Sequence, residues 1–98
     1  MASPETVVEL RDGVVHLRGP LVFASVGAAL SRSLALFPAR GVAVVDMTDV
    51  AQADSAALAL LVEWRKFADR QGLRLELRAV PAQLLALAGA AGLETLCA

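Results

Sequence analysis

One cysteine, one histidine and no block of like charge leave this 98-residue chain few ways to do chemistry. Cys97 has no second cysteine to pair with, which fits a reducing compartment and makes a reactive thiol the weaker reading. Nine Lys/Arg and ten Asp/Glu give a net charge of −1 with no basic cluster, so neither nucleic acid nor an anionic lipid surface is expected as a direct ligand. The start, MASPETVVELRDG, has no basic leader region, and no apolar run reaches the roughly 18 residues of a membrane span. A soluble cytoplasmic protein with no direct membrane insertion is expected. There is no glycine-rich phosphate loop, no cysteine with a second histidine, and no nucleophile with both a base and an orienting group. The expectation is a protein that is not an enzyme and needs no cofactor. Asp46, Asp49 and Asp54 lack the spacing of a calcium loop, so loop acids and a helix cap explain them better than a metal site.

What the chain does have is apolar surface. Its hydrophobic share is 57%, above the usual 45–50% or so of globular domains. Ninety-eight residues make a single domain, 1–98, so the excess serves either an alanine-rich helical core or a face that a partner covers.

The β-branched runs in TVVELRDGVVHLRG flank Asp12-Gly13, a dipeptide suited to the positive φ angles of a tight hairpin. His16 falls on the side of Val14 and Arg18, opposite Val15 and Leu17, and reads as a surface strand residue. Beyond Pro20, the residues Phe23, Val26, Leu30, Leu34 and Phe37 recur at helical spacing up to Pro38, predicting a helix with one buried stripe. GVAVVDM predicts a central strand and TDVAQADS a polar loop into a long helix. That helix stops near Gly72; LRLELRAV then alternates, with Leu73, Leu75, Leu77 and Ala79 on one side and Arg74, Glu76 and Arg78 on the other. Pro81 opens a third helix carrying Leu84, Leu85, Leu87 and Ala88, which Gly92 ends before the tail LETLCA. With no repeat and no linker, the order predicts a two-layer α/β domain: a mixed β-sheet of about four strands with about three helices on one face.

In the long helix, Ala57, Leu60, Leu61, Trp64, Phe67 and Ala68 fall within an arc of roughly 120°, the stripe that packs on the sheet. Leu58 and Val62 project beyond it. Contact with a neighbouring helix and a partner-binding patch explain them equally well. Asp54 and Ser55 are both favoured N-caps, and one of them is accounted for by capping alone. The functional alternative presents Ser55 at the positive helix end, where a phosphate would be tolerated and would place charge on an apolar docking surface.

The order of elements together with VVDMTDVAQADSAALALL resembles the STAS domain, the family of anti-sigma factor antagonists and of the cytoplasmic domains of sulfate transporters. The resemblance runs from about Val14 to Leu96 and implies a STAS-like fold. In that family a strand ending in aspartate leads to an Asp-Ser or Asp-Thr pair at a helix start; here these positions are Asp46, Asp54 and Ser55. The hydroxyl is the regulatory phosphorylation site of the antagonist branch, whose pattern continues with a small residue and a glycine where this chain has Ala56 and Ala57. The segments DSAALALLVEWRKFADRQG and LRLELRAVPAQLLALAGAAGL are most similar to the MlaB-like STAS subunit of the Mla-type ABC transporter, which moves phospholipid and maintains outer-membrane lipid asymmetry. This resemblance implies an accessory protein, peripheral to the inner membrane through the transporter complex, that binds the ATPase subunit. The partner surface would combine Ser55, Asp54, Leu58 and Val62 with the exposed side of the third helix, and a homodimer through the same surface is expected when the partner is absent. The alternative is an anti-sigma factor antagonist, switched by phosphorylation of Ser55, with an anti-sigma factor kinase as partner.

Overall fold

The computed structural model describes residues 5–93 and 95; Cys97 lies outside them. Four strands form one sheet in the order β1-β2-β3-β4, comprising β1 (Val7–Arg11), β2 (Val14–Leu21), β3 (Val42–Ala53) and β4 (Arg74–Arg78). The helices are α1 (Val26–Leu36), α2 (Ser55–Gln71) and α3 (Ala82–Ala90). The predicted hairpin is present: β1 and β2 pair antiparallel, with Asp12 at φ 51° and Gly13 at φ 76° between them. β2–β3 and β3–β4 are parallel, and each pair is joined by a helix. Right-handed crossovers that step in one direction along a sheet place their helices on the same face, which yields the two layers.

That covered face carries Val15, Leu17, Leu21, Ala43, Val45, Met47, Ala53 and Leu75, all buried. The opposite face is wet, with Arg74, Glu76 and Arg78 of β4 exposed as their alternation predicts. Against the covered face α2 lays Ala57, Leu60, Leu61, Trp64 and Ala68, all buried, with Phe67 at the edge. α1 contributes Ala29 and Ser33 at its deepest positions, and Val26, Leu30 and Leu34 pack partly buried beside them. The small residues let α1 sit close enough for the Ser33 hydroxyl to accept the indole N–H of Trp64 at 2.8 Å, both groups fully buried. Phe37 completes the junction, 6.5 Å from the Trp64 ring and 5.9 Å from Phe67 in an edge-on contact.

Three sequence expectations need correction. Pro20 does not precede a helix; it lies inside β2, where the register against β3 shifts between Gly19 and Pro20, so its missing N–H falls at an irregularity of the ladder. Phe23 consequently belongs to a turn and not to the buried stripe, and it is 87% exposed. The polar segment TDVAQA is not a loop: β3 continues to Ala53, because Asp49, Val50, Gln52 and Ala53 pair with Arg18 to Leu21. Finally, Ala79 is not a strand residue; β4 stops at Arg78, and Ala79 turns out at φ 54°, exposed.

Candidate interaction site at the start of the second helix

The corner between β3 and α2 is held from three directions. Asp54 has extended backbone angles, and its carboxylate accepts from the backbone N–H of Ala56 at 2.8 Å, which makes it the N-cap of α2. Its second oxygen accepts from the N–H of Phe23 at 3.2 Å. The Asp54 N–H donates to the Leu21 carbonyl at 3.2 Å, and the preceding Ala53 N–H donates to the Gln83 side-chain oxygen, also at 3.2 Å. One residue pair is thus tied to the end of β2, to the turn before α1 and to the first turn of α3. The capping role belongs to Asp54, which leaves Ser55 as the first helical residue, exposed.

The turn bearing Phe23 is itself well fixed. Val22 accepts from the N–H groups of Ser25 at 2.8 Å and Val26 at 3.0 Å. The buried Ser25 hydroxyl accepts from Val22 N–H at 3.1 Å and donates to the Pro20 carbonyl at 2.9 Å. Asp54 therefore brings an exposed phenyl ring on a constrained backbone to the start of α2. Sequence reasoning missed Phe23 and Gln83 as parts of this corner. Gln83 carried a signal, because it is the one polar side chain in an otherwise apolar helix.

Beyond Phe23, Val26, Gly27 and Leu30 of α1 face Ala59, Leu60 and Glu63 of α2 across a shallow apolar groove of about 90 Å³. Leu58 and Val62 are both half-buried, and Leu58 packs against the core cluster. On α3, Leu84 and Ala88 are buried while Leu85 is 47% exposed.

Asp46 is not part of this corner. It sits between the buried Val45 and Met47 and so projects to the wet face, in register with His16 of β2 and Arg78 of β4. Between the pairs His16–Asp46 and Arg18–Asp49 the register slips, and the Thr48 N–H at this bulge is taken by the Asp46 carboxylate at 2.8 Å. Hydrogen bonds from the side chain and backbone of Thr48 hold the Asp46 carboxyl below its ordinary range, against a small opposing effect of burial and with help from His16 and Arg78. Among the described residues no three His, Cys, Asp or Glu side chains stand close enough to share a metal ion, so Asp46, Asp49 and Asp54 form no cluster. No helix among them is long and apolar enough to cross a membrane.

The family model described as "Mlab, STAS domain" matches residues 6–98. The chain belongs to the MlaB-like STAS family. No curated protein matches it. A solved structure titled "Crystal Structure Analysis of Mglu" is similar to 79% of this STAS domain at 23% identity and a TM-score of 0.57, a likeness of fold alone. The matched region is 20% of that chain, so the STAS domain spans about a fifth of its length. Within the family pattern, the structure puts the Asp54-Ser55 pair on the strand-to-helix corner and Asp46 on the other side of the sheet.

Proposed function

We propose that this STAS domain is a non-enzymatic, cytoplasmic accessory subunit that binds the ATPase subunit of an Mla-type ABC transporter for phospholipid and supports its assembly or activity. It is held at the inner membrane only through that complex and needs no cofactor. The observation that carries the proposal is the division of labour at the α2 start. Asp54 is consumed in holding the corner, whereas Ser55 is exposed at the head of a helix whose first two turns, Ser55 to Val62, contain no charge. A helix end of this kind is cheap to desolvate against a partner. The docking face we assign combines the exposed Ser55 and the half-buried Leu58 and Val62 of α2 with the exposed Leu85 of α3. A charge at Ser55 would have to be desolvated in the complex, so Ser55→Glu weakens binding while Ser55→Ala leaves it close to wild type.

The test is co-expression of the tagged chain with the ATPase subunit of an Mla-type transporter. The two are expected to purify together in fixed stoichiometry and to separate when Ser55→Glu is introduced. A wild-type chain that leaves the ATPase behind would sink the proposal. The exposure of Ser55 also supports a second reading, an anti-sigma factor antagonist controlled by phosphorylation there; recovery of a kinase and of phosphorylated Ser55 in place of the ATPase would select it.

A further inference from the structure

α3 is joined to the rest of the domain at few points. Its entry turns at Ala79, φ 54°, a left-handed angle that alanine adopts only where its surroundings impose it. Pro81 at the N-cap position makes no side-chain cap bond, and the buried residues of the helix are Leu84 and Ala88. These two lie about one turn apart on a single line, which seats the helix on the core but lets it roll. Gln83 and Leu85 stand about 100° to either side of that line. On the Gln83 side the roll is stopped, because the side-chain oxygen accepts from the Ala53 N–H at 3.2 Å.

The sheet explains why that N–H needs an acceptor. β4 pairs with β3 only from Val42 to Asp46, so no described strand flanks Met47 to Ala53 on that side. The Asp54 N–H reaches the Leu21 carbonyl of β2, and successive N–H groups of an extended chain point to opposite flanks, which turns the Ala53 N–H towards the flank that β4 has left. Ala53 is buried, and a buried N–H without a partner is costly. The first turn of α3 supplies what a strand would. Gln83 is itself exposed, so replacing it disturbs no core packing.

We propose that Gln83 is a positioning residue of the candidate interaction site: its bond to the Ala53 N–H keeps α3 from rolling and so holds Leu85 in a fixed relation to Ser55, two residues beyond Ala53. The effect on binding rests on the ATPase reading, whereas the coupling of α3 to the corner belongs to the domain alone. A partner that spans α2 and α3 meets two halves already arranged, and its affinity carries no cost of ordering one against the other.

Amide hydrogen exchange of the full chain by nuclear magnetic resonance, with calorimetric titration of the ATPase subunit beside it, tests the proposal. In wild type, protection is expected at the Ala53 N–H and at the Leu85 N–H, which donates to the Pro81 carbonyl at 3.0 Å. Gln83→Met keeps the length of the side chain and removes the acceptor; it is expected to speed exchange at both amides about tenfold or more and to weaken ATPase binding about tenfold. Gln83→Glu keeps an acceptor oxygen, at a helix start where a carboxylate is tolerated, and should restore both. Ser33→Ala, which destabilises the domain from the α1–α2 junction instead, should leave the affinity at its wild-type value. An Ala53 N–H that exchanges freely in wild type overturns the proposal. So does a Gln83→Met protein with unaltered Leu85 exchange or unaltered affinity, a Gln83→Glu protein that behaves like Gln83→Met, or a loss of affinity in Ser33→Ala as large as in Gln83→Met. A wild type that binds no ATPase ends the ATPase reading and with it the effect on binding, and the exchange rates of Ala53 and Leu85 still decide whether Gln83 holds α3.

Discussion

Removing the carboxylate of Asp54 tests the corner on which the candidate interaction site depends. The side chain makes two contacts: the cap bond to Ala56 N–H at 2.8 Å and the tie to Phe23 N–H at 3.2 Å. Loss of an N-cap costs about 1 kcal/mol, and the longer, exposed bond to Phe23 adds about 0.5 kcal/mol. Asp54→Ala should therefore destabilise the domain by about 1.5 kcal/mol. At this chain length that corresponds to a Tm roughly 6–12 °C lower. Asp54→Asn keeps one acceptor oxygen, which the cap can retain, and should cost about half as much. Ser55→Ala removes a hydroxyl that is not the cap and should cost less than about 0.5 kcal/mol. Urea denaturation followed by the fluorescence of Trp64, the only tryptophan, measures all three on one scale. If Ser55→Ala proved more damaging than Asp54→Ala, or if Asp54→Ala changed the stability by less than about 0.5 kcal/mol, the assignment of the cap to Asp54 would be wrong.

Ser33→Ala strips the buried indole N–H of Trp64 of its acceptor and should cost about 1–3 kcal/mol in the same assay, with the double variant Ser33→Ala/Trp64→Phe, followed by circular dichroism, less destabilised than the sum of its parts. Gly19 has φ +98°, and a Cβ there would stand 2.8 Å from the Glu5 carbonyl oxygen, so Gly19→Ala should lose about 2 kcal/mol or more by chemical denaturation; a neutral substitution would show that the segment before β1 gives way freely. Asp46, held below its ordinary carboxyl range, contributes stability that is complete above the unfolded value near pH 4 and is lost as pH falls through the folded one. The gap between wild type and Asp46→Asn should accordingly be small, under about 1 kcal/mol, at pH 7 because the group is screened by solvent, and should narrow at pH 3; a gap that widens on acidification contradicts the role given to Thr48.

Periodicity carried most of the fold. The valine-rich β3, the strict alternation of β4 and the apolar arc of α2 each follow a single rule of spacing, and each is where that rule puts it. The failures have a common physical origin, which is backbone pairing that side-chain pattern does not encode. Asp49, Val50 and Gln52 read as loop residues because they are polar or isolated, yet the sheet extends through them since their backbone groups find partners on β2. Phe23 keeps helical spacing with Val26 and Leu30, but β2 runs through Pro20 to Leu21 and the helix begins only at Val26. The site was half legible. Asp54 and Ser55 announce a helix start, and the resemblance to STAS domains gave them significance; only tertiary structure could reveal that Phe23 and Gln83 close on the same corner from elsewhere in the chain.

The central claim is that the uncharged start of α2, headed by Ser55, meets the ATPase. The most direct test is a calorimetric titration of the purified ATPase subunit with wild type, Ser55→Glu and Val62→Asp, each first shown to be folded by circular dichroism. Saturable one-to-one binding of the wild type is expected, weakened by each substitution about 30-fold or more, the loss of about 2 kcal/mol that marks a central contact. Equal affinity of the three folded proteins for the ATPase, or the absence of wild-type binding, would contradict it.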